Sequence, residues 1–333
     1  MPATRLAITG ANGMVGTHVT RRAVQAGYQV RALIRAEDDR GELSQLGVEI
    51  VEWDLLEEDS FPAAVADQEV IVHTAAHVGD WGPPEKYRAS NVYGLDRLLQ
   101  AVRREGKLRR WVQISSLGVY PAKHHHGLDE TTPPNLDGFD GYTRTKAEAD
   151  ILLDKHTAEY GLPVVKMRPG FMYGEADRHV VPRLVELLRA GRVRMIGDGK
   201  MLCDNTYIGN FADAVMLALE KPGIEGEAFN IRDERLVDRN EFIGTVAQYL
   251  GLPFPRRVPL WFAKAAVGPV ERVARLLRKQ QAPLITHARM KFMTLNLDYS
   301  IDKAKRELGY CPKVDFQDGI KIALDWITGK TKE

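Results

Sequence analysis

Short apolar runs and amphipathic stretches alternate through the first half of the chain. The runs 5–10 (RLAITG), 28–34 (YQVRALI), 48–54 (VEIVEWD), 69–75 (EVIVHTA), 109–116 (RRWVQISS) and 162–169 (LPVVKMRP) are rich in Val and Ile and read as strands. Residues 14–26, 84–105 and 142–160 read as the helices between them. Near-continuous apolar strands separated by helices predict a parallel sheet covered on both faces. The fold class is therefore α/β, a doubly wound, Rossmann-like parallel sheet whose ligands bind beyond the carboxyl ends of the strands.

Beyond residue 170 the rhythm loosens into a smaller, mainly helical region. Residues 180–191 and 210–221 read as helices, and 238–251 as a helix capped by Asp238 and ended by Gly251. The division expected is 1–170 for dinucleotide binding, with 205–231 returning to it, and 171–204 with 232–333 for substrate. Segment 253–283 is apolar and basic together and is broken by Pro269. With Arg272, Arg275, Arg278 and Lys279 as a basic rim, 259–280 is suited to covering an apolar substrate or lying on a membrane surface; packing on its own core is the plain alternative.

A net charge of +1 argues against nucleic acid as partner. Two distant cysteines indicate no disulfide framework, and the N-terminus shows no secretion signal, so a cytoplasmic setting is expected. Cys203 reads as structural, and His124, His125 and His126 as an exposed loop rather than a metal site.

TGANGMVG places Gly10, Gly13 and Gly16, with Asn12 and Met14 between them, directly after the first strand and at the start of a helix. Such a loop turns tightly, lets backbone approach a pyrophosphate and offers it free N–H groups. A tight strand–helix turn without a ligand is the alternative. The second strand ends in Ile34 and Arg35 where NAD-binding chains usually carry an acid, and an arginine there suits a 2′-phosphate. NADP(H) is therefore favoured, with NAD(H) open through Glu37 or Asp38. Asp54, ending the third strand, is placed for the adenine amino group.

Tyr142 and Lys146 stand one helical turn apart, in a stripe with Ala149 and Leu153. A phenol with an ordinary pKa near 10 is a poor base at neutral pH, and a neighbouring ammonium is expected to lower that value. The pair can then exchange a proton with a substrate oxygen. Ser115 and Ser116 end a strand where the crevice should lie and can hold that oxygen.

These pieces occur in an order that resembles the extended short-chain dehydrogenase/reductase superfamily over nearly the full length. The matching pieces are TGANGMVG, Asp54-Leu55, HTAA at 73–76, NVYG at 91–94, SSLGVY at 115–120, YTRTK at 142–146, RPGFMYG at 168–174, YIGNFADA at 207–214 and FNI at 229–231. The resemblance implies Ser116 as the catalytic serine with Ser115 assisting or substituting, Tyr142 as acid/base, and Lys146 on the nicotinamide ribose. It further implies Leu55, Ala75 and Ala76 beside the cofactor, Asn91 supporting the site, and Pro169 and Gly170 in backbone contact with the nicotinamide end. Gly118 departs from the Thr often found there in sugar-nucleotide epimerases.

Within the superfamily, residues 77–94 and 253–283 look like the branch of 3β-hydroxysteroid dehydrogenases, dihydroflavonol reductases and reductases of long-chain oxoacids. That resemblance implies a small hydrophobic alcohol or ketone as substrate, with His77, Trp81 and Trp261 as pocket candidates, and a homodimer. A sugar-nucleotide epimerase or dehydratase with tightly held NAD, and a non-enzymatic redox sensor, are the competing readings.

Overall fold

In the computed structural model, which describes residues 3–138, 140–277 and 281–330, the alternation becomes a seven-stranded parallel sheet. Its strands are β1 (Arg5–Thr9), β2 (Gln29–Ile34), β3 (Glu49–Glu52), β4 (Val70–His73), β5 (Arg110–Ile114), β6 (Val164–Pro169) and β7 (Ala228–Ile231). The order is β7-β6-β5-β4-β1-β2-β3. Strand order reverses between β1 and β4, and the crevice at this switch point opens at their carboxyl ends.

Side chains alternate between the two faces along each strand. Leu6, Ile8, Val70, Val72, Val112 and Ile114 pack with α1 (Met14–Gln25) on one face. Ala7, Ile71 and Trp111 pack on the other with α2 (Leu95–Glu105) and α3 (Gly141–Tyr160). Residues 84–105 form a helical turn, Pro84–Arg88, a π-helical stretch, Ala89–Gly94, and then α2. Gly94 lies so close to Leu55 that a Cβ there would sit 2.6 Å from the Leu55 carbonyl oxygen.

After β6 the short strand Phe171–Tyr173 pairs in parallel with Asn205–Tyr207. Helix α4 (Ile208–Glu220) then packs on the α1 face, and β7 rejoins the main sheet beside β6. The rest of the chain adds Arg239–Tyr249, capped by Asp238, then α5 (Leu260–Leu276), α6 (His287–Thr294) and Phe316–Ile327.

Two local expectations are corrected. Pro269 does not break α5, which runs through it. The proline is exposed, and so is Ala265, whose carbonyl loses its helical donor and is left to water. Of the three histidines, His124 and His126 are exposed as expected, but His125 is not. His125–Leu128 pairs in parallel with Leu297–Tyr299, and His125 is buried against Tyr299 with Nε2 2.9 Å from the Pro121 carbonyl oxygen.

Candidate active site

The glycine loop follows β1 and is shaped by what glycine omits. Gly10 has a positive φ of 61°. A Cβ on Gly16 would sit 2.3 Å from the Gly10 carbonyl oxygen, so only glycine lets α1 start this close to β1. No side chain caps α1, whose first residues are Met14 and Val15. Its free N–H groups and positive end suit a pyrophosphate.

The loop after β4 lies against the glycine loop through one threonine. Thr9 Oγ1 accepts the N–H groups of Thr74 and Ala75, both at 3.1 Å, and donates to His73 Nδ1 at 2.9 Å. Burial holds the His73 imidazole neutral, with its pKa lowered to about 3. Ala75 thus lies against Gly10 of the glycine loop, and Ala76 follows it. At the ends of β2 and β3, Arg35 pairs with Asp38 at 2.9 Å and Glu37 at 3.2 Å. Asp54 accepts the Leu56 N–H at 2.8 Å.

At the carboxyl end of β5 the Ser116 hydroxyl faces the phenol of Tyr142 and draws its pKa slightly downward. Ser116 Oγ also accepts the Gly118 N–H at 3.0 Å, which fixes its orientation. Lys146 Nζ lies 5.8 Å from the centre of the Tyr142 ring and donates to the Ile114 carbonyl at 2.6 Å. The inward lysine therefore has a partner within the protein itself. Burial lowers its pKa to about 8, against the opposing pull of Asp150. The expected lowering of the Tyr142 pKa is not found. Burial, with Asp140 adding to it, pushes the phenol up to about 12. At neutral pH the phenol thus keeps its proton.

Helix α3 is held by two devices. Asp140 caps it, accepting the Thr143 N–H at 2.8 Å and the Thr143 hydroxyl at 3.0 Å. In the π-helical stretch, Asn91 accepts the His77 N–H at 2.7 Å and donates to Thr145 Oγ1 at 3.0 Å, joining the β4 loop to α3. On the sheet side, Asp150 accepts from Ser115 Oγ at 2.6 Å and Arg168 Nε at 2.9 Å. Arg168 reaches Tyr120, whose hydroxyl donates to Asn230 at 2.8 Å. Ser115 is buried in this network, so its hydroxyl is committed and cannot substitute for Ser116.

Beside Ser116 lies a pocket of about 190 Å³, bounded by Gly118, Asp140, Thr143, Gly170 and Phe171, and by Asp204, Lys291, Phe292 and Tyr299 from the C-terminal half. Gly170 admits no side chain, because a Cβ would sit 2.0 Å from the Asp204 carbonyl oxygen. Its N–H is already shared between Ile231 and Thr206.

The substrate candidates fare differently. His77 is exposed with its ring 4.7 Å from that of Tyr87, and Trp81 is part-buried under the Arg275 guanidinium at 5.2 Å. Trp261 does not line the pocket. It is 71% exposed, because α5 buries the stripe Ala263, Val267 and Ala274 instead. Arg278 and Lys279 lie outside the described residues.

A sequence model of the NAD dependent epimerase/dehydratase family matches residues 6–231, more than half of the chain. The chain belongs to this family. It is an extended short-chain dehydrogenase/reductase of the 3β-hydroxysteroid dehydrogenase-like branch, and an NAD(P)-dependent enzyme. A 2-alkyl-3-oxoalkanoate reductase from Stenotrophomonas maltophilia is 31% identical, over 95% of this chain and 97% of the relative. A 3β-hydroxysteroid dehydrogenase/Δ5→4-isomerase from Mycobacterium tuberculosis is 29% identical, over 97% and 90%. Among solved structures, the UDP-glucose 4-epimerase of Thermotoga maritima has a TM-score of 0.78 over 99% of this chain and 100% of that one; at 22% identity this is a likeness of fold.

The sequence reading missed Asp140, Thr145, Asp204 and Lys291. Asp140 carried a signal, an acid just before a helix and three residues ahead of Thr143. Asp204 and Lys291 carried none, being distant in sequence from Ser116. Among the described residues no group of three or more His, Cys, Asp or Glu gathers to hold a metal. Cys203 is buried with its thiol pushed up to about 12, which makes it inert.

Proposed function

We propose that this family member is an NADP(H)-preferring oxidoreductase that interconverts a ketone and a secondary alcohol on a small hydrophobic substrate. The observation that carries the reading is the placement of Ser116 against the Tyr142 phenol, with Lys146 5.8 Å from the ring centre. When bound, the cofactor supplies the hydride in reduction and accepts it in oxidation. Ser116 orients the substrate oxygen, and the Tyr142 phenol gives it the proton. Lys146 holds the nicotinamide ribose, and its positive charge favours the phenolate left behind. A phenol held protonated by burial suits the reductive direction first.

Arg35 supports NADP(H), since a 2′-phosphate would accept charge-assisted bonds from its half-exposed guanidinium. Gly118 and the apolar walls of the pocket speak against a sugar nucleotide. The relatives' names extend this to apolar oxo acids and steroids. The π-helical stretch before α2 leaves Tyr93 exposed, and α3 leaves Ile151 and Tyr160 exposed, which suits a homodimer through these helices. Among the described residues no helix is long and apolar enough to cross a membrane. Trp261, Phe262 and Leu276, exposed near Lys264, Arg272 and Arg275, suit a peripheral contact with a lipid surface.

The test is to denature purified protein, identify any released nucleotide by mass spectrometry, and titrate the empty protein with NADPH and NADH. No retained nucleotide and tighter binding of NADPH, lost in Arg35→Ala, is the expected result. Stoichiometric NAD⁺ carried through purification would favour the epimerase instead.

A further inference from the structure

The pocket beside Ser116 contains a charge that the proton-transfer set does not use. Lys291 shares one face of α6 with Ala288 and Phe292, and all three line the pocket. The helix is firmly placed. Phe292 stacks on Phe171 with ring centres 4.5 Å apart, Arg239 Nε donates to the Phe292 carbonyl at 2.7 Å, and Arg289 pairs with Asp80 at 2.6 Å. Yet the Lys291 ammonium has no hydrogen bond and no close ion pair among the described residues. It meets only the more distant fields of Asp140 and Asp204, and burial works against its charge.

A second group in the pocket is also unsatisfied. Asp204 is more than nine-tenths buried, and its Oδ1 has no partner. Asp140, by contrast, is occupied as the cap of α3. Lys291 is only part-buried, so its ammonium stands at the pocket wall with no protein anion against it among the described residues, open to a bound anion. The wall limits what the anion can be. Lys291 is the one cation bounding the pocket among the described residues, and Phe171, Phe292 and Leu297 make much of the rest apolar. A diphosphate would call for several cations, whereas a single carboxylate on an apolar chain calls for one.

We infer that Lys291 anchors a carboxylate carried by the substrate close to the carbonyl that Tyr142 protonates, so that the preferred substrates are apolar oxo acids and hydroxy acids. This rests on the oxidoreductase reading above and narrows its substrate class. Asp204 stands on the opposite side of the balance, because its negative charge opposes the incoming carboxylate. Changes at the two positions therefore move affinity for an acid in opposite directions. A neutral substrate anchored by a hydroxyl on Asp204 would give the reverse pattern.

The test separates binding from turnover. Protein saturated with NADP⁺ is titrated calorimetrically with decanoate and with 1-decanol. Lys291→Gln should weaken decanoate about 30-fold, the loss of one charge-assisted bond, and leave decanol unchanged. Lys291→Arg should keep most of the affinity, and Asp204→Asn should tighten decanoate. Absence of decanoate binding to the unaltered protein, or equal losses for both ligands in Lys291→Gln, overturns the assignment. Oxidation of 3-hydroxydecanoate and its methyl ester is measured in parallel. Equal turnover of acid and ester leaves the oxidoreductase standing and removes the carboxylate anchor. If neither is oxidised, the oxidoreductase reading fails on this substrate class, and the titration still decides Lys291.

Discussion

The crevice between β1 and β4 and the pocket between α3 and α6 meet at Ser116 but are built in different ways. The crevice is made by short-range backbone geometry: glycines at 10, 13 and 16, one threonine bridging two strands, one arginine after β2. The pocket is made by distant segments brought together, with Gly170, Asp204 and Lys291 separated by long stretches of chain. The first kind of site is written locally and does not depend on loop placement. The second depends on cross-links such as Asp80–Arg289 and on the stacking of Phe171 with Phe292. The cofactor side can therefore stay fixed while the substrate side is remodelled by changes far away in sequence.

This contrast can be broken most forcefully at Asp150. It is fully buried, receives Ser115 and Arg168, and ties α3 to the sheet. Asp150→Ala should cost about 3–5 kcal/mol, because it strands the Arg168 charge in the interior. Urea unfolding measures this, and a loss below 1 kcal/mol would show that the network does not hold α3.

A smaller effect tests the threonine bridge by pH. The pKa of His73 falls from 6.5 to about 3 on folding through burial. Unfolded chain then takes up the proton first as pH drops. The contribution is complete above 6.5 and is lost toward 3, at up to about 1.4 kcal/mol per pH unit. His73→Gln should lose this part of the acid sensitivity, read from stability curves at pH 7 and pH 5. An identical pH slope in both proteins would contradict a buried neutral imidazole.

The smallest effect isolates the pocket. Arg289→Ala removes the half-buried bridge to Asp80, and KM for substrate should rise about fivefold while nucleotide affinity stays the same. Equal changes in both would mean that the two regions are not separable.

How much of this was legible follows the same division. The strand runs, the glycine loop and the Tyr142–Lys146 pair could be read because each is set by local periodicity or spacing. The roles of Ser115 and Ser116 could not be separated, since neighbouring residues on a strand end point to opposite sides. One met Asp150 in the core, and the other met Tyr142. The upward shift of the Tyr142 pKa was missed because spacing to Lys146 shows neither the burial of the ring nor the ammonium's bond to Ile114. Trp261 and Pro269 were misjudged because composition does not reveal which face of α5 is turned to solvent. Lys291 was invisible, since its meaning comes only from meeting Ser116 across the pocket.

The central claim is that the Tyr142 phenol delivers the proton. Steady-state reduction of an apolar ketone by NADPH, compared between the unaltered protein and Tyr142→Phe, tests it most directly. The variant keeps the ring and removes only the hydroxyl that meets Ser116. A fall in kcat of about 10²–10⁴-fold with unchanged NADPH affinity is the predicted result. Retained turnover in Tyr142→Phe would contradict it and move the proton donor to another group.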